Sequence, residues 1–530
     1  MVSGEGTMKR IAEAGSLFWA VCVLTMAPSA HAAADQTPTA PAATDASTLV
    51  GLDAYVEKAR AEWQVPGVAV AIVKDDRLVY AKGFGVREAG KPGAVDTDSV
   101  FAIGSATKAF TGAALAMLVD EKKIVWDGVV RTYLPGFALN DSYATEHATV
   151  RDLLSHRTGF VSGSGWLWTG SGFDRSEIIH RLRFQTASAG FRNRFLYANE
   201  IFTAAGEIVP AVTGTSWDDF VARRLFAPLG MTRSSTSVGA LAGLANVASP
   251  HGMVDGKLVS FPYRRVDNVG GAGAINASAR DMAQWVRLQL GNGVYQGQRL
   301  IGAASLAETR TGQSLPGPGR LVSPVSQFAE YGFGWILGDY RGRKVVEHMG
   351  GVDGMMCIVA MIPEEHLGVV VLTNMLPHQL PAAVALKVFD SFLGGGDTDW
   401  SATLKAEADK AMAVADSRKA AEATAAGPVQ PALPLDRYAG TYTSDLFGTA
   451  TISVKHGALV FSRPTAAAAL IHDRDSRFRA RWTSASILSV FGETPVEFTS
   501  GPDGGIDALQ LGTDRFRHEP ATVALSKRGE

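Results

Sequence analysis

A chain of 530 residues is too long for one ordinary domain, so two or more folded units are expected. With 46% hydrophobic and 19% charged residues the composition is that of a globular protein and excludes a disordered one. Lys and Arg total 50 against 52 Asp and Glu, with no basic run, which argues against a nucleic-acid partner.

Met8-Lys9-Arg10, an apolar run from Leu17 to Ala27 and the small-residue exit Ala30-His31-Ala32 have the order of a secretory signal peptide. Residues 1–32 are therefore expected to be removed, with the cut after Ala32. The chain is then exported, to the periplasm or beyond, and no later segment reads as a membrane span. Of the two cysteines, Cys22 would leave with the leader. Cys357 would remain alone in an apolar run, so no intramolecular disulfide is expected. Residues 33–48, rich in Ala, Thr and Pro, read as a flexible lead-in.

Folding is expected from Leu49, with an amphipathic helix to Trp63. Val68–Val73 and Arg77–Lys82 form a hairpin about Lys74-Asp75-Asp76. Phe101-Ala102-Ile103-Gly104 leads into a helix beginning at or near Ser105, with Phe110, Ala113, Ala114, Met117 and Leu118 on its apolar face. Helices are predicted over Val150–Ser155, Tyr197–Val212, Trp217–Leu225 and from the capping segment Ala277-Ser278-Ala279-Arg280-Asp281 to about Leu290. Strands return at Gly332–Leu337, Lys344–His348, Met355–Ile362 and Leu367–Leu372. Early hairpin, helical middle and late strands predict one mixed α/β domain, 49–398, whose sheet is built from both ends of its sequence. Residues 399–434 read as a solvated Ala-rich helix followed by a Pro/Ala linker. From 435 to 525 the texture is that of short strands and turns, including Tyr438–Thr443, Ala450–Lys455, Ala458–Ser462 and Ile506–Leu511, hence a small all-β barrel or sandwich.

Three motifs carry chemistry. Ser105-Ala106-Thr107-Lys108 is S-x-x-K, a spacing that sets both side chains on one helix face. A serine hydroxyl needs a base, and a desolvated lysine is one. Tyr197-Ala198-Asn199 adds a phenol to relay the proton and an amide to hydrogen-bond substrate and lysine. Glu347-His348-Met349-Gly350-Gly351 ends a predicted strand with glycines that let backbone approach a ligand, making the Gly351 N–H a second oxyanion donor beside that of Ser105. Each piece alone has an ordinary structural reading: a capping serine with an exposed lysine, a core tyrosine, a strand histidine. Trp166 and Trp168 wall an acyl pocket or simply pack their loop. No serine has glycine at both −2 and +2, so the nucleophile elbow of α/β-hydrolases is absent. The eleven histidines show no metal-ligand spacing, and neither a metal nor another cofactor is expected.

Taken together, S-x-x-K, Y-x-N and H-x-G in this order resemble the serine β-lactamase-related superfamily, in the class C-like branch that also holds penicillin-binding proteins, D-aminopeptidases and carboxylesterases. Pro66-Gly67-Val68-Ala69-Val70, Val150–His156, Phe226–Thr232 and Tyr331-Gly332-Phe333-Gly334-Trp335 extend the likeness over residues 50–395. The resemblance implies an antiparallel sheet flanked by helices with a helical insert, and a small C-terminal β domain similar to lipocalins. It implies Ser105 as nucleophile, Lys108 and Tyr197 as proton-transfer groups, and Asn199, His348, Gly350 and Gly351 around the substrate, a small ester or peptide. Class C β-lactamases usually have lysine where His348 stands; a neutral imidazole is no fixed cation. An ester or D-amino-acid-containing peptide is therefore the expected substrate, with β-lactamase or D,D-carboxypeptidase activity as the alternative. A catalytically silent peptidoglycan- or peptide-binding module is the alternative of another class. Oligomeric state is not legible.

Overall fold

A computed structural model describes residues 47–160, 165–316, 326–424 and 430–519. The expected leader with its cleavage site and Cys22, most of the lead-in, and part of the 399–434 linker lie outside the described residues.

Helix α1 (Leu52–Glu62) precedes the hairpin β1 (Gly67–Lys74) and β2 (Arg77–Gly85). The late strands are β3 (Glu330–Tyr331), β4 (Ile336–Tyr340), β5 (Arg343–Val352), β6 (Met355–Ile362) and β7 (Leu367–Thr373). They make one antiparallel sheet of order β2-β1-β7-β6-β5-β4-β3, so the early hairpin joins the late strands through the β1–β7 pair, Val70 opposite Val371. Both faces of this sheet are covered, which is why Val68–Val73 is apolar without alternation. Val68, Val70 and Ile72 pack with α1 and α5 (Leu380–Leu393), while Ala69, Ala71 and Val73 join the core of the helical region. That region includes α2 (Thr107–Asp120), α3 (Asn199–Thr213) and α4 (Ala279–Leu290), the last capped by Ser278, whose side chain accepts the Asp281 N–H. Helix α6 (Trp400–Thr424) buries Trp400 and Leu404 against the α1/α5 face, so its first turns are docked and not wholly solvated.

Two expected elements differ. The strand predicted over Gly332–Leu337 is a bend until Ile336. Gly334 is in the left-handed region at φ 83°, and a methyl there would lie 2.5 Å from the Lys108 carbonyl carbon, so the segment turns to press against α2. The helix predicted from Tyr197 begins at Asn199, with Ala198 extended as its cap.

The C-terminal part is a closed eight-stranded antiparallel barrel: β8 (Gly440–Ser444), β9 (Gly448–Lys455), β10 (Ala458–Arg463), β11 (Ala466–Arg474), β12 (Arg477–Trp482), β13 (Thr494–Ser500), β14 (Ile506–Leu511) and β15 (Asp514–Glu519). Thr441 opposite Glu519 completes the ring, which removes every open edge. Barrel and sheet domain belong to one compact unit, Asp45–Glu530. Their junction is sealed by Trp166, which is 1% exposed and lies inside the barrel's own core, 4.4 Å from the Trp482 ring. The buried Arg463 guanidinium fixes the same loop by donating to the Trp166 carbonyl at 2.7 Å and that of Thr169 at 3.3 Å. Trp166 is thus barrel core and does not wall an acyl pocket. Trp166→Ala is expected to destabilise the whole chain by about 3–5 kcal/mol, read from urea unfolding followed by fluorescence and circular dichroism.

Candidate active site

Ser105 lies in a single 3₁₀ turn, Gly104–Ala106, and α2 starts two residues later. The turn is tied at both ends: Ile103 N–H donates to Ile275 O at 2.9 Å, and Ile275 N–H donates to Thr107 Oγ1 at 3.1 Å. It sits directly on β5. A methyl on Gly104 would lie 2.8 Å from the Gly351 backbone, and one on Gly350 would lie 1.8 Å from Ile103 O. Glycines at 350 and 104 are what let sheet and turn touch. Cys357, paired with Gly350 across β5–β6, donates its thiol to the same Ile103 carbonyl at 3.2 Å; burial pushes the thiol up to about 12, an inert core residue.

Lys108 follows one turn after Ser105 and is fully buried. Its Nζ lies 3.2 Å from Ser105 Oγ, 2.7 Å from Asn199 Oδ1 and 2.8 Å from Ala272 O. Burial holds the amine well below lysine's ordinary 10.5, outweighing the carboxylate of Glu200, which favours the charged form. In its neutral form the amine can donate its two hydrogens to Asn199 and Ala272 and offer its lone pair to the serine hydroxyl. Tyr197 donates to Ser105 Oγ at 2.7 Å. Burial raises this phenol above its ordinary 10 while the bond to Ser105 opposes the rise, so the resting group is an O–H donor. With the amine in that form Ser105 accepts from tyrosine and donates to lysine, one proton on each bond. The serine itself is only half-buried.

Ala272 and His156 are participants that the sequence did not announce as such. Ala272 acts through a carbonyl in the Gly270–Gly273 turn, and the only signal was glycine density. His156 clamps the backbone on both sides of Tyr197: its carbonyl accepts Leu196 N–H at 2.7 Å and its Nδ1 accepts Ala198 N–H at 3.1 Å. Its buried ring lies 4.4 Å from the tyrosine ring.

His348 neighbours Lys108 without joining its hydrogen bonds. On β5 it shares the face of Val346 and Gly350, is 3% exposed, and bonds through Nε2 to Tyr331 OH at 3.1 Å. Burial, then the positive charge of the neighbouring Lys108 when it is protonated, lowers its pKa to about 3, so the imidazole is neutral at pH 7. His378, buried beside Thr373, is lowered to about 4. Both values lie below histidine's ordinary 6.5, so the unfolded chain binds more protons than the folded one between pH 6.5 and pH 3. Stability contributed by these neutral rings is complete above pH 6.5 and is lost as pH falls through that window. Urea midpoints at pH 7 and pH 4.5 are expected to show the loss, and His378→Gln to flatten it.

Asn199 and Gly351 border a cavity of about 370 Å³ that also takes in Trp168 and the Arg264–Asp353 pair. Of the two loop tryptophans, then, Trp168 lines the cleft, with the Arg264 guanidinium 4.9 Å from its ring centre. Among the described residues no group of three or more His, Cys, Asp or Glu is placed to hold a metal ion, and no helix is long and apolar enough to cross a membrane.

A family profile described as Beta-lactamase matches residues 52–388, and one described as a domain of unknown function, DUF3471, matches residues 424–522. Unguisins hydrolase ungD of Aspergillus violaceofuscus is 28% identical over 491 residues, covering 85% of this chain and 85% of that one. Penicillin-binding protein 4 of Amycolatopsis lactamdurans is 31% identical over 331 residues, 59% of this chain and 82% of that one. The octameric penicillin-binding protein homologue from Pyrococcus abyssi superposes with a TM-score of 0.59 at 22% identity, over 88% of this chain and 98% of that one. SurE with D-Leu superposes with a TM-score of 0.54 at 20% identity, over 89% and 100% of the two chains. At these identities the structural likeness is one of fold.

Proposed function

Because the chain belongs to the beta-lactamase family and is, broadly, a serine hydrolase, we propose that it is an exported enzyme cleaving an ester or peptide bond through an acyl ester on Ser105. The observation that carries this reading is the bonding of Ser105 Oγ to both Tyr197 OH and Lys108 Nζ, with the lysine fully buried and its charged form disfavoured. The serine proton passes to Lys108 as Oγ bonds the substrate carbonyl carbon. The backbone N–H groups of Ser105 and Gly351 hold the oxyanion. Tyr197 delivers a proton to the departing oxygen or nitrogen and regains one from the lysine. Water then attacks the ester, gives one proton to the same pair, and leaves the free acid and a restored serine. Asn199 orients the lysine and meets substrate; His348 acts at one remove, through Tyr331.

A neutral, buried imidazole at the third motif offers no fixed cation for the carboxylate of a β-lactam. This supports esters or D-amino-acid-tolerant peptides over β-lactams. The leader read at residues 1–32 supports export. Labelling the purified protein with a fluorophosphonate and mapping the adduct tests the mechanism: the adduct is expected on Ser105, and an adduct elsewhere overturns it. Turnover of p-nitrophenyl esters and D-aminoacyl anilides is expected to exceed that of nitrocefin; the reverse order makes the chain a β-lactamase. A Ser105 adduct with turnover of none of the three makes it a binding module.

A further inference from the structure

The part of the chain with no assigned role has a place at the cleft. Helix α7 (Ala485–Phe491) crosses from β12 to β13 and is capped by Ser484, whose side chain accepts Ile487 N–H. Ile487 is buried in the barrel, whereas Val490, one turn further along, is 38% exposed. Val490 and Phe491 border the same 370 Å³ cavity as Asn199 and Gly351. We propose that this barrel helix is the specificity wall of the enzyme, and that Val490 and Phe491 receive a bulky, uncharged apolar group beside the scissile carbonyl.

Three observations support the assignment. The helix is held in place: a methyl on Gly252 would lie 1.9 Å from Ser489 Oγ, so the helix and the short strand His251–Val254 meet at van der Waals distance, and Arg481 pairs with Asp255 beside them at 2.5 Å. Phe491 is oriented by its ring contact with Trp166, 4.9 Å between centres, so the residue that anchors the barrel also sets the wall. The cavity's remaining character suits an apolar guest: Trp168, Val352 and Leu376 line it, and its one guanidinium, Arg264, is already paired through two nitrogens with Asp353 and through the third with Thr169. No unpaired charge of the described residues there calls for an ionic substrate group. The cleft also continues along the barrel. A hollow of about 790 Å³ shares Trp168 and Arg264 with the cavity and adds Thr465 and Ile487, room for the rest of a substrate longer than a simple ester.

This inference rests on acylation of Ser105, and the test separates the two. In the full chain, kcat/KM is measured for p-nitrophenyl acetate and p-nitrophenyl phenylpropanoate, and their ratio is the readout, because it does not depend on the fraction of folded enzyme. The wild type is expected to favour the bulky ester by about tenfold or more. Val490→Ser, at an exposed position that tolerates change, and Phe491→Ala are each expected to shrink that preference several-fold, chiefly through KM. Val454→Ser, exposed on β9 and no part of the cavity, is expected to leave it unchanged. A ratio unaltered by both helix variants, or a wild type favouring acetate, overturns the wall alone. Turnover that is absent, or that survives Ser105→Ala, overturns the catalytic reading and the wall with it.

Discussion

Ser105→Ala is expected to lower kcat/KM on any confirmed substrate by about 10⁴-fold or more, and Lys108→Met by about 10³–10⁴-fold, since each removes one member of a single proton-transfer unit. The informative variant is Lys108→Arg. It places a fixed cation at the site but cannot accept the serine proton, because a guanidinium does not deprotonate near neutrality. If the amine acts as a base, Arg fails as badly as Met; if only positive charge matters, Arg retains activity and the assignment falls. The same chemistry fixes the sign of the pH profile. The base must be unprotonated, so activity is lost on the acid side, through a pKa lying well below lysine's 10.5 because burial disfavours the ammonium. Circular dichroism should show all three variants folded.

Gly350→Ala is expected to cost about 3 kcal/mol or more in stability and at least 100-fold in kcat. The new methyl would stand 1.8 Å from Ile103 O and 2.9 Å from Cys357 Sγ, and the first of these is backbone that cannot swing aside. Strand β5 must draw back from the serine turn, carrying the Gly351 N–H with it. The adjacent substitution is the control: a methyl on Gly351 meets only the tip of the Leu376 side chain, at 3.0 Å, and a small shift relieves it. Gly351→Ala is therefore expected to unfold within about 1 kcal/mol of wild type. Urea midpoints for the pair measure the difference, and equal midpoints would mean that sheet and turn do not touch as described.

Local spacing made the S-x-x-K pair legible, because three residues on a helix dictate proximity whatever surrounds them. Tyr197 and Asn199 were legible as a motif, but their elements were misjudged by two residues: Tyr197 precedes its helix, and Ala198 between them is extended and bonded to His156, a contact from 42 residues upstream that no periodicity reveals. The bend at Gly332–Trp335 looked like a strand because alternating aromatics and glycines imitate a pleat; the close approach of Gly334 to α2 decides otherwise. In the tail, the Ala466–Ala469 run of β11 carries none of the branched or aromatic residues by which strands are recognised, although the barrel character of the region was readable from its turns. The Trp166 contact was the hardest to foresee, since nothing near it in sequence indicates that its core belongs to another domain.

That contact changes what counts as a module in this chain. A cut between residues 388 and 424 separates two sequence families, yet the barrel severed there leaves behind a ring that fills its own interior. Chimeras that trade tails between relatives must therefore transplant the segment around Trp166 as well, and a graft that omits it begins with a hole where an indole belongs.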